Sequence, residues 1–216
     1  MIKAAIFDMD GLLIDSERII MQACIQAAKE IGIHYTQTEF VDLIGRSSAD
    51  SSRIMAEQLG GIENLSRVGE RVDVILAQHN HVFPLKQGVN SLLEHYKLNN
   101  IACSVASSSS HQHIQHRLSN VNVLNYFKHT TSGQEVSKGK PNPDIYLLAI
   151  QKLGFSQEDC IAFEDSEQGA RAAIAAGLKV VVVPDLKQPS DFVKANSFRV
   201  IDSLNQALSM TELIKC

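Results

Sequence analysis

Ile2-Lys3-Ala4-Ala5-Ile6-Phe7-Asp8-Met9-Asp10-Gly11 is mostly apolar as far as Phe7 and then carries two carboxylates one residue apart. Ile2, Ala4, Ala5, Ile6 and Phe7 read as a buried strand, so the acids stand at its exit. Desolvation and mutual repulsion both disfavour two ionised groups in such a place. A chain tolerates that cost when a divalent cation neutralises the pair or when one acid does chemistry. The pattern returns at Cys160-Ile161-Ala162-Phe163, which ends in Glu164-Asp165. Between them lie a strand-like run ending in Ser107-Ser108-Ser109-Ser110 and, further on, Lys140-Pro141. Acid pair, hydroxyl, lysine and acid pair form the inventory of a magnesium-dependent phosphoryl-transfer site.

Working outward, strand-like runs recur at 2–7, 101–106, 129–131, 160–163 and 179–183. Most are uniformly apolar, which suits a parallel sheet covered on both faces. Helical segments separate most of them; Asp144 to Leu153 ends at Gly154, and Glu167 to Ala176 ends at Gly177. The alternation predicts an α/β fold, a Rossmann-like doubly wound parallel sheet. One stretch breaks it. From 17 to 83 every signal is helical: an apolar face from Ile19 to Ile31, a capping box at Thr36-x-x-Glu39, a helix over 49–59 and another over 66–81. The expected organisation is a core of residues 1–16 and 84–216 with an inserted all-helical domain over 17–83. Ligands of open α/β sheets bind beyond the carboxyl ends of the strands. Asp8, Ser107 and Asp165 each follow such an end, so separate motifs can converge.

Each motif also has a plainer reading. Asp-Gly is turn chemistry. A serine of the 107–110 run and Ser166 or Asp165 each suit a helix N-cap. Lys138 reads as solvated surface, whereas Lys140 stands on a backbone pinned by Pro141 and Pro143. His111, His113 and His116 lack a partner cluster for zinc. Arg46, in Gly45-Arg46-Ser47, is a loop residue of the helical insertion that could face a substrate.

The chain has 216 residues and a formal charge of −4, which gives no electrostatic case for nucleic acid or an anionic membrane. No apolar run approaches spanning length. The four cysteines are scattered, which suits a reduced, cytoplasmic protein. A monomer is expected.

Taken together, Phe7-Asp8-Met9-Asp10-Gly11-Leu12-Leu13-Ile14-Asp15-Ser16, Val105-Ala106-Ser107, Gly139-Lys140-Pro141-Asn142-Pro143-Asp144-Ile145-Tyr146 and Phe163-Glu164-Asp165-Ser166 with Gly169 resemble the haloacid dehalogenase superfamily, in its β-phosphoglucomutase-like phosphatase branch. The resemblance spans almost the whole chain and implies a helical cap inserted after the first motif. It implies that Asp8 is the nucleophile, forming an aspartyl-phosphate, and that Asp10 is the general acid and base. Ser107, with Ser108 beside it, and Lys140 would bind phosphate. Asp8, the Asp10 carbonyl, Glu164 and Asp165 would hold Mg²⁺, with Glu164 as ligand or support. Gly45 and Arg46 are cap candidates for substrate contact. The implied function is a Mg²⁺-dependent phosphatase of a small phosphorylated metabolite such as a sugar phosphate. The alternatives are a phosphomutase of the β-phosphoglucomutase type and, outside enzymes, a receiver-like phosphoacceptor domain. Mutases of this branch carry a histidine on the first cap helix; residues 17–32 contain none.

Overall fold

The computed structural model describes residues 2–44, 48–78 and 80–210. The chain divides into two compact units, Met1–Asp15 with Pro84–Cys216, and Ser16–Phe83.

The first unit is built on six parallel strands: β1 (Ala4–Phe7), β2 (Ala102–Ser107), β3 (Phe127–Ser132), β4 (Cys160–Glu164), β5 (Lys179–Val182) and β6 (Arg199–Val200), in the order β3-β2-β1-β4-β5-β6. The chain starts at the centre, runs to one edge, then crosses back to the far side of β1. The reversal opens a crevice between β1 and β4 at their carboxyl ends, the favoured ligand position in such sheets.

Strand alternation sends Ala4 and Ile6 of β1, Ala102 and Ala106 of β2, and Ala162 of β4 to one face. There they pack with Tyr146 and Ala149 of α7 (Asp144–Leu153) and with Ala170, Ala172 and Ala173 of α8 (Glu167–Ala175). Small side chains let both helices lie close to the sheet. Phe7 and Phe163 point the other way and stack, ring centroids 4.9 Å apart. Tyr96 of α5 (Val89–Leu98) tilts against both, at 6.2 Å from each. Such aromatic pairs add about 1 kcal/mol each beyond their burial. They fix β1 and β4 at the last residue before each acidic motif.

The second unit is helical: α1 (Ser16–Glu30), α2 (Gln37–Leu43), α3 (Ser48–Gln58) and α4 (Ile62–Ala77). α1 packs on α4, and α3 on both α2 and α4. The capping box at α2 forms as expected: Thr36 Oγ1 accepts the Glu39 N–H at 3.3 Å and the Glu39 carboxylate accepts the Thr36 N–H at 2.7 Å.

Three elements differ most from the sequence expectation. α4 begins at Ile62 rather than 66 and ends at Ala77 rather than 81. Gly61, with φ of 138°, caps it directly, and Asn80 and His81 have positive φ that a helix cannot continue. β3 runs over Phe127–Ser132 rather than 129–131; it is an edge strand whose first residues are partly exposed, so its start carries no apolar run. β6 is two exposed residues, too short for any pattern. No helix among the described residues is long and apolar enough to cross a membrane.

Gly88, at the N-cap of α5, has φ of 94°, and a Cβ there would lie 2.4 Å from the Asn205 nitrogen. Gly88→Ala should therefore cost about 2–4 kcal/mol from backbone strain and overpacking. A fall in the urea midpoint at unchanged slope measures it; a wild-type midpoint contradicts this packing.

Candidate active site

Phe7 pairs with Phe163 in the sheet, so Asp8 comes level with Glu164 one residue on. The Asp8 N–H donates to the Phe163 carbonyl at 3.0 Å, carrying the ladder one step past β1. Asp8 is 7% exposed and Glu164 is fully buried. Two buried carboxylates side by side need a cation, and Lys140 supplies it. Its ammonium donates to Asp8 Oδ1 at 2.5 Å, Glu164 Oε1 at 2.6 Å and the Ala106 carbonyl at 3.2 Å. Three N–H groups meet three acceptors, one from each of three adjacent strand ends.

Glu164 is held on all sides. Tyr146 O–H donates to Oε1 at 2.5 Å, while Oε2 accepts from the Asp165 N–H, the Ser166 N–H and the Ser166 hydroxyl at 3.1–3.3 Å. Gly169 is needed beside it, since a Cβ there would lie 1.9 Å from Oε1. Ser166 also caps α8, accepting the Gly169 N–H at 3.1 Å, so Asp165 is not used as the N-cap.

Burial pushes the Asp8 carboxyl up to about 8; Lys140 pulls against that, and Glu164 adds to it. Burial lowers Lys140, but Asp8 and Glu164 more than offset this and hold its ammonium above the usual lysine range. One ammonium is thus too little positive charge for the carboxyls gathered here. Asp8, Glu164 and Asp165 each offer an oxygen, all within 4.8 Å of one another. Hard oxygen donors, short of positive charge and at that spacing, fit a small divalent cation such as Mg²⁺.

Asp10 sits apart from this cluster's lysine. Arg117 Nη1 donates to its Oδ1 at 2.5 Å and Ser109 Oγ to its Oδ2 at 2.8 Å. Ser107 ends β2, buried, and its hydroxyl accepts the Ser109 N–H at 3.1 Å, turning the serine loop. Ser108 is exposed, and Ser110 is the N-cap of α6 (His111–Asn120), accepting the His113 N–H. Lys138 is exposed.

The structure thus brings Asp8, Lys140, Glu164 and Asp165 together, with Ala106 next to Ser107 touching the same ammonium. Gly45 and Arg46 lie outside the described residues. The sequence reading passed over Tyr146, Ser109 and Arg117 as contacts of these acids. It also passed over Lys86, which pairs with Asp185 at 2.5 Å and Asp15 at 3.6 Å. For Arg117 a signal existed: it falls three residues after Ile114 and beside Leu118, both buried, so it starts from the inward side of α6.

A family model described as haloacid dehalogenase-like hydrolase matches residues 5–183. A phosphorylated carbohydrates phosphatase of Thermotoga maritima is 31% identical over 205 residues, covering 92% of this chain and 94% of that protein. Hexitol phosphatase B of Escherichia coli O157:H7 is 32% identical, covering 90% of each chain. The crystal structure of CbbY from Rhodobacter sphaeroides with phosphate superposes with a TM-score of 0.77 at 25% identity, covering 99% of both. With four motifs in order, three at strand ends and one on the loop before α7, and a match across most of its length, the chain belongs to the haloacid dehalogenase-like hydrolases.

Proposed function

We propose that this hydrolase is a Mg²⁺-dependent phosphatase that acts on a small phosphorylated sugar or polyol through an aspartyl-phosphate on Asp8. The observation that carries the reading is the Lys140 ammonium shared by Asp8 and Glu164 at a strand exit, with Asp165 beside them. The named activities of the carbohydrate and hexitol phosphatase relatives support the substrate class.

In the first step an Asp8 oxygen bonds to phosphorus as the P–O ester bond breaks, and Asp10 gives its proton to the departing alcohol. In the second, water bonds to phosphorus, Asp10 takes its proton, and the Asp8–phosphorus bond breaks to give inorganic phosphate. Lys140 favours the ionised form of Asp8 against burial and orients it, and Ser107 with the neighbouring Ser108 N–H binds a phosphoryl oxygen. Asp8, Asp165 and the Asp10 carbonyl would hold Mg²⁺, with Glu164 as ligand or support, and the ion would supply charge neutralisation between the carboxylate and the phosphate anion. Ser16–Phe83, inserted just after the Asp8–Asp10 turn, is assigned as the substrate-selecting cap, with Gly45 and Arg46 as contacts. The receiver-like alternative is set aside by family membership and by a helical insertion after the first strand.

With Mg²⁺, hexose and hexitol phosphates should release phosphate steadily, with little conversion of β-glucose 1-phosphate to glucose 6-phosphate. α1 carries no histidine to couple closure to Asp10. Isomerisation that outpaces phosphate release, with a bisphosphate primer present, would make the chain a mutase.

Excess chelator should silence the release and added Mg²⁺ restore it. Full activity in chelator would remove the metal from the reading.

Asp8→Asn should cut kcat by on the order of 10⁴ or more, as for loss of a nucleophile elsewhere. The variant should stay folded, because Lys140 keeps Glu164 as its buried partner. Substantial turnover by a folded variant removes Asp8 as the nucleophile.

A further inference from the structure

The Asp10 carboxylate is anchored at both oxygens from one segment of chain. Arg117 Nη1 meets Oδ1 at 2.5 Å and Ser109 Oγ meets Oδ2 at 2.8 Å. A single donor would leave the carboxylate free to swivel about its last torsion, whereas two donors, one per oxygen, fix its plane as well as its position. Arg117 is itself well mounted. Ile114 and Leu118 are both fully buried and clamp α6, so the arginine, with a side chain 17% exposed, reaches Asp10 across a short, defined path.

The pair is largely shielded from water, so its Coulomb gain is set against the desolvation of both charges and the rotamer entropy of ordering an arginine. What the arrangement does deliver is orientation of one carboxylate two residues after Asp8.

We propose that Arg117 and Ser109 are positioning residues for Asp10, holding its carboxylate with a donor on each oxygen. The proposal rests on the phosphatase reading above. A guanidinium and a hydroxyl can both donate, so together they orient the carboxylate. In the first step the Asp10 carboxyl passes a proton to the ester oxygen as that oxygen's bond to phosphorus breaks. In the second it takes the proton lost by the attacking water as the water oxygen bonds to phosphorus and the Asp8 bond breaks. Arg117 and Ser109 act through Asp10 in both steps.

The test compares Arg117→Ala, Arg117→Lys and Ser109→Ala with wild type in single turnovers of two esters. One is p-nitrophenyl phosphate, whose leaving group needs no proton; the other is an alkyl phosphate such as a hexitol phosphate. Arg117→Ala should slow alcohol release from the alkyl ester by about 10-fold or more, within the range for misplaced acid–base catalysis. It should spare the nitrophenol burst, leave KM unchanged and accumulate phosphorylated Asp8, since the second step also needs Asp10. Arg117→Lys should recover part of the loss, and Ser109→Ala should show the same contrast between esters. Equal loss on both esters, wild-type rates in Arg117→Ala, or a raised KM with unchanged single-turnover rates would each overturn the proposal. The last would make Arg117 a substrate contact. If Arg117→Ala does not fold, as judged by circular dichroism, the other two variants decide by the same contrast. A folded wild type that releases phosphate from neither ester overturns the phosphatase reading and this proposal together, so the two failures are told apart.

Discussion

Three adjacent strands end on one ammonium. Lys140 reaches Asp8 after β1, Glu164 at the end of β4 and the Ala106 carbonyl in β2, and its own side chain is only 7% exposed. Without that charge, Asp8 and Glu164 would be two buried carboxylates in register on neighbouring strands, a pairing that neither desolvation nor repulsion permits. Around it the structure closes layer by layer. Tyr146 lies under the lysine, its ring centroid 5.2 Å from the ammonium, while its hydroxyl holds Glu164. Behind that, the stacked Phe7 and Phe163 fix the two strands to the same level. A shift of one residue in the β1–β4 pairing would turn Asp8 to the opposite face and leave Lys140 with one partner.

The fold was legible because a parallel α/β sheet writes itself in uniformly apolar runs. β1, β2, β4 and β5 are buried on both faces, and their sequences contain little else but Ala, Val, Ile, Phe, Cys and Ser. Legibility failed at the edges. β3 is half-exposed and begins with Phe127-Lys128-His129, so only its 129–131 stretch reads as a strand, and β6 is two exposed residues with no pattern to read. The early start of α4 was hidden for another reason: Gly60-Gly61 reads as a stop, and only the backbone shows Gly61 acting as the N-cap of the next helix.

For the site, the acids and the lysine stand out because each is chemically out of place at the end of an apolar strand or on a proline-pinned loop. The residues that orient them do not stand out. Tyr146 looks like one more large residue of an amphipathic helix, and Arg117 like one charge in the polar run His111 to Asn120. Their roles are set by what the sheet carries to within hydrogen-bond distance, 18 residues from Glu164 in one case and 107 from Asp10 in the other. Sequence periodicity places such a side chain on a face. It does not say which strand end that face will meet.

The two acids of the first motif illustrate how much environment adds to sequence. Asp8 and Asp10 are the same residue type two positions apart, separated by a buried Met9 and followed by Gly11, whose φ of 81° turns the chain. A Cβ at Gly11 would fall 2.3 Å from Asp165 Oδ2, so glycine is required both for the turn and for the approach of the second acid pair. The turn sends the two carboxylates into different surroundings. Asp8 enters a dry pocket where burial raises its carboxyl to about 8 against the pull of Lys140. Asp10 stays partly exposed, its side chain 21% accessible, between a guanidinium and a hydroxyl. A carboxylate in the first setting is desolvated, held against a fixed cation and short of counter-charge. One in the second keeps contact with water, a guanidinium and a hydroxyl. Identical side chains of one motif thus meet different neighbours, and here a single glycine turn makes the separation.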